Sequence, residues 1–209
     1  MNIGFKMTTY FLNNVNTFLG MQLFDELRND HEEDQPQNRF YVTTLNDGKA
    51  PDSANIIKTL NRVPQNVLKK RLLECDVIIY DLNNQDLEEA ELAIRLIKDE
   101  ELTSSKIIIA ISSMMVWANT PPKMVYEWSG LNPDVSHKPE KVLKPYTEAD
   151  YNMRKALPKY EGIKFLENML LGVTNANITT HIICPGLVYG YGEELLNFHF
   201  RSAWLDDPK

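Results

Sequence analysis

Two rhythms of apolar residues run along the chain, and their alternation sets the elements. Lys6 to Leu12, KMTTYFL, is β-branched and aromatic and predicts a first strand. A polar turn follows at Asn13 to Asn16, and Thr17 opens a helix with Phe18, Leu19, Leu23, Phe24 and Leu27 at helical spacing. Residues 31–38, HEEDQPQN, read as a charged surface loop. Arg39 to Leu45 predicts a second strand, closed by the turn signal Asn46-Asp47-Gly48, and Ile56 to Leu60 a short third one. Asn66 to Glu74 is helical and leads into Cys75 to Leu82, a buried strand. Asp86 to Glu101 forms an acidic helix with Leu87, Ala90, Ile94 and Ile97 along one face, and Lys106 to Ser112 is another continuous apolar strand. Residues 119–150, rich in Pro, Lys and Glu, read as a long irregular loop, a kind of segment that usually carries function or contacts. Tyr160 to Leu171 is a helix with Pro158 at its start and an apolar face of Ile163, Leu166, Leu170 and Val173. Thr180 to Gly190 predicts a buried strand running out into a loop, and Glu193 to Leu205 a last helix.

Strands alternating with helices, several of them continuous apolar runs, predict an α/β fold: a doubly wound parallel sheet with helices on both faces. Ligands of such sheets sit at the carboxyl ends of the strands. The turn at Asn13–Asn16, Ser112, Ser113 and Gly186 all fall at that edge.

Composition narrows the function classes. The chain has 209 residues, enough for one sizeable domain, and a net charge of −7, which argues against a nucleic-acid binder. No apolar run approaches the roughly 20 residues of a membrane span, and the N-terminus lacks a secretory pattern. Cys75 and Cys184 read as buried free thiols, which suits a reducing, intracellular compartment. His31, His137, His181 and His199 are scattered and offer no metal spacing.

One pair of residues carries candidate chemistry. Tyr160 and Lys164 stand one helical turn apart, about 5–6 Å at their Cβ atoms. A protonated Lys there favours the phenolate and prepares the Tyr for proton transfer near neutral pH. The plainer reading is an exposed helix start with Lys164 paired to a glutamate. Tyr151 and Lys155 repeat the spacing but precede Pro158 and lack the apolar run. Ser112 and Ser113 are either a polar strand end or a substrate hydrogen-bond donor.

Three stretches, in order, resemble the extended short-chain dehydrogenase/reductase family of the epimerase/dehydratase type. AISSMMVWA (110–118) resembles its substrate-holding strand end, with Ser113 at the key position. YEGIKFLENMLL resembles its Tyr-x-x-x-Lys helix, and CPGLVYG its Arg-Pro-x-x-Val-Tyr-Gly exit, with Cys184 where an Arg is usual. CDVIIYDL falls where the family has its fourth strand. The family's glycine motif, aligned on the first turn, falls on Asn14, Thr17 and Gly20, so only the third glycine is retained. Asn tolerates the left-handed backbone a glycine supplies there, whereas Thr17 puts a β-branched side chain where a pyrophosphate approaches. Asp47 is the nearest candidate for an acidic ribose partner, with turn-former as its other role.

From about residue 66 onward the chain also resembles the dehydrogenase-like region that precedes the kinase domain of a ciliary adenylate kinase, on LLECDVIIYDL, MVWA, PYTEADYNMRK and GLVYGYGEELLNFHFRSAWL. The phosphate-binding loop of such a kinase is absent from these 209 residues. Together the resemblances imply a Rossmann-like domain over 1–192 and the start of a C-terminal lobe, otherwise missing, at 193–209. They imply a degenerate NAD(P)-binding fold, without cofactor, that docks axonemal proteins in the cilium. The alternative they imply is an active NAD(P)-dependent epimerase, dehydratase or reductase using Ser113, Tyr160 and Lys164.

Overall fold

A computed structural model describes residues 7–30, 37–83, 87–127, 140–191 and 196–205. In chain order the elements are β1 (Thr9–Leu12), α1 (Phe18–Asn29), β2 (Arg39–Val42), β3 (Ile56–Thr59), α2 (Gln65–Glu74), β4 (Val77–Asp81), α3 (Glu88–Ile97), β5 (Lys106–Ile111), β6 (Met124–Glu127), β7 (Glu140–Leu143), α4 (Glu161–Leu171), β8 (Ile178–Ile183) and α5 (Asn197–Trp204). Six strands form one sheet in the order β3-β2-β1-β4-β5-β8, and every pairing in it is parallel. The order runs outward from β1 in both directions, so the crevice between β1 and β4 is the topological switch point of a doubly wound fold.

Each face of the sheet has its own apolar layer, because successive strand residues point to opposite sides. Phe11, Ile78, Tyr80, Ile108 and Ala110 pack under α2, α3 and α4, with Leu72, Ile94, Leu166 and Leu170 among the buried partners. Leu12, Phe40, Val42, Ile79 and Ile111 pack under α1, where Phe24 meets Phe40 edge-on at 4.9 Å between ring centroids. The alternating pattern read from the sequence is therefore realised with helices on both faces. A buried lysine ties β5 to the end of α2: Lys106 donates to the carbonyls of Leu73 (2.7 Å) and Cys75 (2.6 Å), where α2 leaves its last carbonyls open.

Three expectations need correction. The described parts of 119–150 are not irregular throughout. Met124–Glu127 pairs antiparallel with Glu140–Leu143, and a 3₁₀ turn with a capping box spans Glu148–Met153. The hairpin escapes sequence reading because nearly all its positions face solvent, so no buried alternation marks it. The strand at Thr180–Gly190 is shorter and begins earlier, at Ile178, and only Ile178 in it is fully buried, because β8 lies at the sheet's edge. The last helix begins at Asn197, with Phe198, Phe200 and Trp204 exposed; residues 192–195, which include the expected start at Glu193, lie outside the described residues. So do Lys6, most of the 31–38 loop, Asp86, Trp128 and His137. Among the described residues no helix is long and apolar enough to cross a membrane, and no group of acidic, His and Cys side chains could hold a metal.

Candidate functional site at the switch point

The turn after β1 is built by asparagines and a threonine. Asn13 reaches across to β4, accepting at Oδ1 from the Asp81 amide at 2.7 Å. Asn14 adopts φ 51°, the left-handed conformation that the first glycine of the motif otherwise supplies. Its amide donates to Thr43 Oγ1 (3.1 Å) and that of Val15 to the Thr43 carbonyl (2.9 Å), which ties the turn to β2. Asn16 fixes the far side, accepting from the Leu45 amide at 2.6 Å and donating to its carbonyl at 3.1 Å. Gly20 is a true close approach: a Cβ there would lie 2.3 Å from the Asn14 carbonyl oxygen.

Thr17 is the N-cap of α1. Its Oγ1 accepts from the Gly20 amide (3.1 Å) and donates to the Asn14 carbonyl (2.9 Å), while its own amide also donates to Asn14. An uncapped helix start presents orphan amides and a partial positive charge to an anion. Here a hydroxyl of the chain occupies the capping position. Asp47 stands in a 3₁₀ turn at φ 53° with its carboxylate 2.9 Å from Arg62, beside a polar pocket of about 120 Å³ lined by Asn14, Thr43 and Asn61.

A crevice of about 280 Å³ opens at the carboxyl edge, lined by Thr17, Phe18, Asp81, Asn83, Ser113 and Gly186 among others. Ser113 caps the 3₁₀ turn Met114–Trp117, its Oγ accepting from the Met115 amide at 3.2 Å. Tyr160 closes a 3₁₀ turn begun by Pro158 and is the first residue before α4, with its ring packed against the core. The Lys164 ammonium lies 3.7 Å from the Glu161 carboxylate. Among the described residues no hydrogen bond joins Tyr160 to Lys164, or either of them to Ser113, and neither lines the crevice. The structure therefore brings Thr17, Ser113 and Gly186 together and sets Tyr160 and Lys164 outside that group. Tyr151, the other tyrosine of the same spacing, is exposed on the 3₁₀ turn that ends at Met153.

Sequence reading missed the most deeply buried charged residue among the described residues. Glu167 has no exposed surface, and it accepts from the Ser112 hydroxyl and from the Arg154 guanidinium. Arg154, itself only 5% exposed, also donates from Nε to the Tyr151 carbonyl (2.8 Å) and from Nη2 to Asn168 Oδ1 (3.1 Å). The Cys184 thiol lies 3.8 Å from Glu167 Oε1. Burial pushes the Glu167 carboxyl up, against the pull of the Ser112 hydrogen bond and the Arg154 charge. The signal was present in the sequence. Glu167 sits in the middle of the stripe Ile163, Leu166, Leu170, and a charge at the centre of an apolar face requires a buried partner. Burial pushes the Cys75 thiol up to about 12, and burial with the nearby Glu167 charge raises Cys184. A second, wider cleft of about 970 Å³, mostly apolar, lies along β8 and is lined by Trp117, Tyr146, Tyr151, Arg154 and Ile183 among others.

No family model matches the chain, and neither does any curated protein. Solved structures do. The nucleoside-diphosphate-sugar epimerase from Agrobacterium tumefaciens superposes with a TM-score of 0.56 at 15% identity, over 96% of this chain and 59% of its own. A putative epimerase from Burkholderia cenocepacia J2315 superposes with a TM-score of 0.54 at 10% identity, over 99% of this chain and 64% of its own. The chain thus spans about three fifths of the length of the structures it is similar to. At such identities the likeness concerns architecture alone: the chain has a Rossmann-like α/β fold, a parallel six-stranded sheet with helices on both faces.

Proposed function

We propose that this chain is a degenerate NAD(P)-binding-fold domain, one that keeps the epimerase architecture and serves as a structural and docking part of a ciliary axonemal complex. The observation that carries the first half is Thr17. Its hydroxyl takes the Gly20 amide and its own amide is bonded to Asn14, so two of the amides at the helix start that would receive a pyrophosphate are engaged within the chain. Ser113, bonded in its own cap, and Lys164, beside Glu161, support the same reading. The docking half rests on the resemblance to the region preceding a ciliary adenylate kinase domain.

NADH and NADPH fluorescence titrations of the whole chain test the first half. Wild type is expected to show no saturable change up to about 1 mM cofactor, a concentration at which a ~10 μM site would stabilise the fold by roughly 2.7 kcal/mol. Saturable micromolar binding by wild type overturns the reading. For the docking half, immobilised chain is expected to retain a defined set of axonemal proteins that an unrelated Rossmann-fold domain does not. Equal retention by both sinks it. The second reading, an NAD(P)-dependent epimerase, dehydratase or reductase, is favoured by the Tyr160–Lys164 pair at the head of α4. It requires cofactor-dependent turnover that disappears in Tyr160→Phe.

A further inference from the structure

The segment Thr147–Ala156 forms one wall of the wide cleft along β8, presenting Thr147, Glu148, Tyr151 and Arg154 to it. Its bonds fall into two groups. One group ties it to the chain just after β5: the Asn119 amide and side chain donate to the carbonyls of Lys155 (2.9 Å) and Ala156 (3.0 Å), the Lys155 amide donates to Thr120 Oγ1 (2.9 Å), and Lys123 pairs with Asp150. Trp117 and Tyr146 stack alongside at 5.3 Å between ring centroids. These bonds make 117–127 and 140–156 one arm, and they travel with it.

The other group joins the arm to the body, and among the described residues its hydrogen bonds and ion pairs from 147–156 all come from Arg154. The guanidinium reaches Glu167 and Asn168 on α4, and Glu167 is held in turn by Ser112 at the end of β5. A planar fork with two partners on one helix fixes direction as well as distance. Removing either member of a buried pair leaves a charge in a low-dielectric site; loss of Glu167 leaves the contacts inside the arm untouched, whereas loss of Arg154 also removes its bond to the Tyr151 carbonyl. We infer that Arg154 and Glu167 form a latch: while closed it fixes the 147–156 strap as the wall of the β8 cleft, and when broken it releases the arm as a unit without unfolding the sheet. The inference is independent of the proposed function, since a cleft wall can gate a small ligand or a docked partner alike.

Site-resolved hydrogen exchange on the whole chain tests it, with Glu167→Gln, Arg154→Met and the milder Arg154→Lys. The first two are expected to accelerate exchange of the 150–156 amides about tenfold or more, with Arg154→Lys in between, while the β4 and β5 amides keep their wild-type rates. Acceleration of strap and sheet amides together would show a residue pair that only holds the fold up. No acceleration in the strap would show that the internal arm bonds and apolar packing suffice. Either result overturns the latch, and Arg154→Lys keeps the test readable if the other variants fail to fold.

Discussion

A methyl group added at position 20 has no space to enter. The nearest atoms are backbone, the Asn14 carbonyl oxygen at 2.3 Å and Val15 Cα at 2.9 Å, so α1 would have to lift from the β1 turn. Overpacking of this kind costs about 1–3 kcal/mol, partly offset by the ~1 kcal/mol that Ala gains over Gly in a helix. Gly20→Ala is therefore expected to lower the urea midpoint by the equivalent of up to about 2 kcal/mol at unchanged slope. Gly162 is the control. A Cβ there meets only Leu87 Cδ1, at 3.0 Å, the far end of a flexible side chain. Gly162→Ala is expected to stabilise by about 0.5 kcal/mol through propensity. Two Gly→Ala changes in helices with opposite signs would separate close approach from helix propensity; the same sign at both sites would remove the packing argument for Gly20. Gly20 is thus required by the close approach of α1 to the turn after β1.

At the scale of elements, the arm carries its own electrostatic anchor. Asp150 is held down to about 2, chiefly by the Lys123 ammonium and by the Thr147 amide that donates to it at 2.8 Å. A carboxylate whose folded pKa lies below its ordinary range favours the folded arm at every pH above about 4. That contribution is lost as the pH falls from about 4 to about 2. The Thr147 amide resonance is expected to titrate with a midpoint near 2 and to stop titrating in Asp150→Asn; a midpoint near 4 would mean the Lys123 pair does not form in solution. What was legible here follows from burial. Helices α1, α3 and α4 announce themselves because a 3.6-residue stripe faces the sheet, and strands β4 and β5 because both are continuous apolar runs, although Ile107 of β5 reaches solvent. The β6–β7 hairpin left no such trace, since its side chains face water. For β8 the trace misled, because an apolar composition says nothing about which strand ends the sheet. The site was legible unevenly for the same reason. Asn14, Thr17 and Gly20 could be placed by counting along one turn. Whether Tyr160 and Lys164 reach the crevice depends on where α4 packs against α3 and the 3₁₀ turn after β5, which local spacing does not encode.

Across the whole molecule, protection should grade with the number of covered sides. Strands β1, β4 and β5 are paired on both edges, and Phe11, Ile78 and Ala110 within them have no exposed surface. Strands β3 and β8 each lack a neighbour on one side among the described residues. In β8, Ile183 is half exposed, as is much of the α1-side surface near it, where Ile107 also reaches solvent. Among the described residues the arm is joined to this body by its latch, by Ala156 and Trp117 packed in and against the core, and just beyond its end by the Leu157 amide on the Met115 carbonyl. Local openings in a domain range from almost no cost up to the full unfolding free energy. The expected order of amide exchange is therefore β4 and β5 slowest, β8 and β3 faster, and the β6–β7 hairpin fastest, by on the order of 1,000-fold between the extremes. Dilution adds the decisive arm to the measurement. An open sheet edge with apolar side chains beside it is a template for pairing. If β8 amides are as slow as those of β4 at high concentration and accelerate on dilution, that edge is occupied by a second copy; if they stay slow at every concentration, the edge is covered within the chain and its grading by pairing is wrong. Exchange that is faster in β8 and independent of concentration is the outcome this architecture predicts.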